Sequence, residues 1–230
     1  MAALGAGGKG TSGIGMTSDR TRARMIERLR AEGIRDEIVL AAMNAVPRHI
    51  FVDEALAIRA YEDSPLPIGH GQTISQPWVV ARMIELARNG RDLGDVLEIG
   101  TGCGYQTAVL ARLAKTVYTV ERIAALVNKA RRHLQSLKFR NVRLAHGDGS
   151  TDLGEALAVD AIVVSAGATH VPTALLKYLK PAGRLVLPLA RADEGERGVQ
   201  RLTVIEAHAA GIREHVFDAV RFVPLLPGLG

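Results

Sequence analysis

The stretch Val96-Leu-Glu-Ile-Gly-Thr-Gly-Cys-Gly104 constrains this chain more than any other, because a short apolar run leads straight into glycines at alternate positions. Glycine there lets a ligand approach backbone N–H groups at the start of the helix that follows. The surrounding sequence alternates short apolar runs with amphipathic ones. Strands are expected at 95–99, 116–120, 142–145, 160–164 and 184–187, and helices at 79–87, 105–114, 123–137, 153–157 and 173–179. That order predicts an α/β fold, a doubly wound, Rossmann-like and mostly parallel sheet with right-handed crossovers. Two more strands, 200–206 and 215–223, follow with only a turn between them, which predicts a C-terminal antiparallel hairpin at the sheet edge.

The N-terminal part has a different texture. Residues 1–16, MAALGAGGKGTSGIGM, are glycine-rich with little to bury, so a disordered tail is expected, with Met16 a candidate natural start. A helix capped near Ser18 buries Met25, Ile26 and Leu29 and stops at Gly33; a second runs from Asp36 to Val46 and is closed by Pro47. The 230 residues, 47% of them hydrophobic, suffice for one domain over 17–230. Within it, 17–77 form a helical preface and an active-site loop, and 78–230 a cofactor-binding core.

Other classes are excluded or weighed by composition. The single cysteine, Cys103, rules out an internal disulfide, and no Cys/His grouping has zinc spacing. No apolar run approaches a membrane span and no signal-peptide segment opens the chain, so a cytoplasmic protein without a metal or membrane partner is expected. Basic residues outnumber acidic ones by 29 to 24, which makes nucleic acid a partner to weigh. The nearest thing to a basic cluster, Arg20, Arg22, Arg24, Arg28 and Arg30, sits among apolar helix positions and reads as a solvated helix face.

The glycine loop is G-x-G-x-G rather than the dinucleotide fingerprint, which spaces its last glycine to seat a pyrophosphate. It suits a nucleoside carrying an amino-acid tail, bound by Gly100, Thr101, Gly102 and Gly104, with Glu98 upstream available to an ammonium group. Glu121, about twenty residues on at a strand end, can accept both ribose hydroxyls. Gly147-Asp148-Gly149 follows the next strand, where a carboxylate reaches an adenine amino group. In this order and placement the elements predict an S-adenosyl-L-methionine site.

Longer stretches carry a resemblance: Ala45-Val-Pro-Arg-His-Ile-Phe-Val-Asp-Glu54, Leu66-Pro-Ile-Gly-His-Gly-Gln-Thr-Ile-Ser-Gln-Pro77, Leu97-Glu-Ile-Gly-Thr-Gly-Cys-Gly-Tyr-Gln-Thr107, Val120-Glu-Arg-Ile123, His146-Gly-Asp-Gly149 and Val220-Arg-Phe-Val-Pro-Leu225. From about Met25 to Leu226 the chain resembles the protein-L-isoaspartate O-methyltransferases, class I methyltransferases that act on isomerised aspartates. The glycine loop is shared by many methyltransferases, whereas Gly-Gln-Thr-Ile-Ser-Gln-Pro is peculiar to this family. Cys103 stands where the family more usually has serine, and the tail before Met16 has no family counterpart.

The resemblance implies methyl transfer to the free α-carboxylate of L-isoaspartyl residues in damaged proteins and peptides. The ester then collapses to a succinimide that reopens partly to aspartate. It also implies that Ser75 is the active-site residue, that Thr73 and Ile74 lie along the cofactor, and that Gln200 touches cofactor or substrate. On chemical grounds Ser75 is no covalent nucleophile, since no His/Asp partners or G-x-S-x-G elbow accompany it. Two readings of Thr73 and Ser75 stay open together, a hydroxyl that orients the acceptor and a cap for the helix at Pro77. His70 reads as a loop residue, Trp78 as groove lining or helix anchor, and Cys103 as packing. The rival function is an RNA or DNA methyltransferase with the same cofactor domain, although no N/D-P-P-Y/F motif follows Val164. A monomer is expected, with no nucleic-acid partner.

Overall fold

The computed structural model describes residues 15–154, 157–191, 199–208 and 211–230. The predicted N-terminal tail thus lies outside the described residues, save for its last two, Gly15 and Met16. Helix α1 (Asp19–Ala31) starts where the Ser18 side chain accepts the Thr21 N–H, and buries Met25, Ile26 and Leu29 as predicted. Helix α2 (Glu37–Ala45) is capped by Asp36, whose Oδ1 accepts the Ile38 and Val39 N–H groups. Asp36 Oδ2 also takes the nearly buried Arg88 guanidinium at 2.8 Å, which ties the preface to α3 (Pro77–Arg88). Residues 48–59 form two 3₁₀ turns rather than α-helix.

A hairpin that sequence patterning did not announce comes next, β1 (Leu66–Gly69) against β2 (Gln72–Ile74). Its two-residue tip, His70 and Gly71, has φ of +55° and +67°, the left-handed geometry that matches strand twist in tight hairpins. His70 is exposed there, as its loop reading required.

The sheet contains β3 (Leu93–Ile99), β4 (Ala114–Glu121), β5 (Val142–His146), β6 (Val159–Val164), β7 (Leu179–Ala190), β8 (Gln200–His208) and β9 (Gly211–Val220) in the order β5-β4-β3-β6-β7-β8-β9. Strands β3 to β7 are parallel, and β8 and β9 add the expected antiparallel hairpin at the edge. The chain moves outward from β3 to β5 and then crosses back to β6. The carboxyl ends of β3 and β6 therefore flank a topological switch, where open α/β sheets open a crevice. Helices α4 (Tyr105–Leu113) and α5 (Ala124–Ser136) follow β3 and β4.

Two predicted helices differ. Leu153, Gly154 and Leu157 are not helical, and 155–156 lie outside the described residues. Gly154 has φ +71°, a left-handed backbone that interrupts a right-handed helix at its second residue, while the Leu153 N–H donates to the Tyr178 hydroxyl at 2.8 Å. The helix expected over 173–179 is a single turn, α6 (Thr173–Leu176), because Leu179 already pairs with Val159. Between Leu179 and Arg184 the register slips, which is why the apolar pattern of β7 is visible only from Arg184 onward.

One continuous cluster of buried side chains runs from Met25 of α1 through Val80 of α3 and Val96 of β3 to Val220 of β9. The preface is packed into the same core as the sheet. Of the five arginines read as a solvated face, Arg20 and Arg24 are exposed, while the others are engaged. Arg22 pairs with Asp19, Arg28 donates to the Tyr61 carbonyl, and Arg30 bridges Glu27 and Glu37. No helix among the described residues is long and apolar enough to cross a membrane.

Candidate active site

A cleft opens at the carboxyl ends of β3, β4 and β6, and its floor is the glycine loop. Gly100 and Gly102 adopt φ of +90° and +56°, values that side chains disfavour. A Cβ on Gly102 would meet only the Ile68 Cδ1, at 3.3 Å, and Ile68 and Gly102 both line the cleft, so a side chain there would enter it. Gly149 closes in from the next loop, where a Cβ would lie 2.5 Å from Ile99. Gly104 is different. It sits outside the cleft with φ +91°, and a Cβ there would press on Ala130 of α5 at 3.3 Å, so this glycine serves helix packing.

Glu121 ends β4 at the cleft wall, 6% exposed. Its Oε2 accepts the Gly102 N–H at 2.8 Å and its Oε1 accepts the Ile123 N–H at 2.9 Å. Each oxygen retains a lone pair, the arrangement that two vicinal hydroxyls would engage. Ile99, Ile123, Leu126 and Leu225 give the cleft apolar walls.

Glu98 does not reach the cleft, contrary to its expected role at an ammonium group. It is fully buried, and its carboxylate accepts from the Thr107 and Thr119 hydroxyls and the Gln106 amide at 2.5, 2.7 and 3.1 Å. Burial pushes its pKa up to about 7 despite those three donors. The Gln106 amide also reaches the Ser165 Oγ at 2.6 Å, and the Thr119 hydroxyl pairs with Thr101 at 2.6 Å. Glu98 therefore braces the glycine loop from behind.

Asp148 is also outside the cleft. Its Oδ1 accepts the Ser150 N–H and hydroxyl, and its Oδ2 accepts the Gly228 N–H at 2.6 Å. Gln200 is buried below the C-terminal segment, where its Oε1 accepts the Phe222 N–H at 2.9 Å. Both hold the returning C-terminus, whose residues Val223 to Leu226 line the cleft. Sequence reasoning noticed the Phe-Val-Pro-Leu stretch without its position; only tertiary pairing of Gly167 with Val223 and Leu225 brings it here. Tyr105 and Ser165 were likewise missed as cleft residues.

Thr73, Ile74 and Ser75 also line the cleft. Neither Thr73 nor Ser75 caps α3, whose N-cap residue is Gln76 without a side-chain hydrogen bond. The cap comes from a distance instead, since Asp63 Oδ1 accepts the Trp78 N–H at 2.8 Å. Trp78 anchors the helix: its indole donates to the Glu32 carbonyl, away from the cleft. Ser75 is half-buried and its hydroxyl has no hydrogen bond among the described residues, while its carbonyl accepts from Arg48 at 2.8 Å. Cys103 is buried, its thiol pushed up to about 11 by that burial, which leaves it a poor nucleophile.

Known proteins resemble this chain along most of its length. A model of the family described as protein-L-isoaspartate(D-aspartate) O-methyltransferase matches residues 20–229. The chain belongs to that family. Among protein-L-isoaspartate O-methyltransferases, the protein of Dechloromonas aromatica (strain RCB) is 61% identical, over 94% of this chain and 98% of its own length. That of Methylobacillus flagellatus is 56% identical over 94% and 96%. A Plasmodium falciparum structure described as a protein-L-isoaspartate O-methyltransferase, in complex with S-adenosyl-L-homocysteine, superposes with TM-score 0.74. It is 27% identical and covers 89% of this chain and 98% of its own. The positive-φ glycines, the carboxylate of Glu121 and the apolar walls form a donor set that suits a nucleoside with a short polar tail.

Proposed function

We propose that this chain methylates the free α-carboxylate of L-isoaspartyl residues in proteins and peptides, with S-adenosyl-L-methionine as methyl donor. The observation that carries the reading is that Ser75 and the Gly100–Gly102 loop line one and the same cleft. When bound, the cofactor supplies an electrophilic methyl group on a sulfonium centre. Gly100, Thr101, Gly102 and Glu121 would hold it, with Thr73, Ile74 and Gly149 alongside.

The acceptor needs no general base, because an α-carboxyl is ionised at neutral pH. What this chain's residues must do is align one carboxylate oxygen and keep water from the anion. The Ser75 hydroxyl, free of other partners, donates to that carboxylate and orients it. Val80, Tyr105 and Val223 line the space around it and exclude water. The backbone amide nitrogen of the next residue then attacks the ester carbonyl without further help, methanol leaves to give a succinimide, and water reopens that ring partly to aspartate.

Gly104, Glu98, Asp148 and Gln200 support the cleft rather than touch its contents, because each spends its polar or steric contacts on neighbouring elements. The test is methyl transfer from labelled cofactor to a synthetic peptide with one isoaspartate, beside its aspartate twin and an RNA pool. Label in the isoaspartyl peptide alone is the expected result. Label in RNA and none in the peptide would overturn the reading in favour of a nucleic-acid methyltransferase.

A further inference from the structure

Behind Ser75 lies an arginine with no anion in contact. The Arg48 side chain is completely buried. Its Nε donates to the Ala60 carbonyl and one terminal nitrogen to the Ser75 carbonyl, both at 2.8 Å. Its guanidinium carbon stands 4.8 Å from the centre of the Tyr105 ring. The other terminal nitrogen has no partner, and no carboxylate lies within ion-pair distance of Arg48 among the described residues. Asp63 is close enough to act on it through space, yet its oxygens serve the Trp78 N–H and the Gln76 amide.

A buried cation with no anion in contact is expensive to keep even with Asp63 acting on it from farther off, and two carbonyls could be satisfied by a neutral amide such as glutamine. The charge itself therefore needs an explanation. Both residues it touches on the cleft side, Ser75 and Tyr105, line the cleft. The Tyr105 hydroxyl is a second buried polar group without a partner. The nearby counter-charge this arrangement lacks on its cleft side is what an acceptor carboxylate brings to Ser75.

We infer that Arg48 is a positioning and specificity residue, whose buried charge makes the acceptor side of the cleft select a carboxylate over its neutral analogues. The inference rests on the proposed function above. Arg48 acts through Ser75, holding that residue's backbone, and through its field, without touching the substrate. The direction of the effect follows from the chemistry. The acceptor's negative charge disappears as the ester forms, so the cation favours the bound carboxylate more than the transition state. Loss of Arg48 thus raises KM while kcat holds or rises slightly, and the neutral ester loses the attraction and leaves.

The experiment uses the full chain saturated with S-adenosyl-L-homocysteine. Binding of an isoaspartyl peptide and of its α-carboxamide twin is measured by calorimetry for wild type, Arg48→Met and Arg48→Lys, beside steady-state methylation. Wild type should prefer the carboxylate by about tenfold or more, the size of a partly screened charge interaction across a few ångströms. Arg48→Met should lose most of that preference and raise KM by about tenfold with kcat within about threefold, and Arg48→Lys should restore most of it. Equal binding of both peptides to wild type overturns the inference, as does a lysine variant as impaired as a folded methionine variant. If Arg48→Met does not fold, the wild-type preference and the lysine variant decide. Wild-type turnover reports separately on the activity: selective binding of the carboxylate without methyl transfer would sink the proposed reaction and leave the role of Arg48 standing.

Discussion

The backbone N–H of Gly102 donates to Glu121 Oε2 at 2.8 Å, so the tip of the glycine loop is tied to the end of the neighbouring strand. The same carboxylate holds the start of α5 through the Ile123 N–H. One side chain thereby sets the width of the cleft floor while keeping lone pairs for a ligand.

Glu121→Ala should therefore weaken S-adenosyl-L-homocysteine binding on two accounts, a lost ligand contact and a loosened loop. Hydrogen bonds to charged groups are each worth about 1.5–3 kcal/mol, so a ten- to hundredfold rise in Kd is expected by calorimetry. A Kd within about twofold of wild type would remove Glu121 from the site.

For Ser75, the absence of a capping bond separates rate from stability. Ser75→Ala should change unfolding free energy by less than about 0.5 kcal/mol, as surface-type substitutions do. Its kcat/KM on isoaspartyl peptide should fall about ten- to a hundredfold, the value of one hydrogen bond to a charged acceptor. Wild-type kinetics in the variant would end the orienting role.

The distant cap makes the complementary case. Asp63 takes the Trp78 N–H at the start of α3, so Asp63→Ala should cost about 1 kcal/mol of stability, the usual value of a helix cap. Chemical denaturation reads this directly. An unchanged midpoint would mean that water replaces the carboxylate without loss.

Glu98 predicts a pH dependence whose sign can be worked out. Burial raises its folded pKa to about 7, above the ordinary carboxylate value of 4.5. The folded chain holds this proton more firmly than the unfolded one. Stability from this group is therefore complete below about pH 4.5 and is lost as pH rises through 7. The loss is of the order of 3 kcal/mol by pH 8. Glu98→Gln should flatten that slope, so the difference in melting temperature between variant and wild type should grow from pH 5 to pH 8. Parallel curves would show that Glu98 stays ionised in its pocket of hydroxyls.

The sequence by itself determined the alternating strands and helices, the caps at Ser18 and Asp36, the edge hairpin and the glycine loop. Those features are local: apolar periodicity, a capping side chain or a glycine at positive φ acts within a few residues of itself. It also carried the family signature at 68–77. Tertiary structure alone decided which polar groups face the cleft. Glu98 and Glu121 are both acids at or near strand ends, yet strand pleat and packing turn one into the core and the other to the cleft wall. The cap of α3 arrives from Asp63 fifteen residues away, and the C-terminal residues at 223–226 return beside Gly167 to complete the wall. Arg48 reads in sequence as one more basic residue, and only the closing of 60 and 75 around it reveals a buried charge. Burial and direction of side chains depend on contacts between distant segments, and these form only when the whole core does.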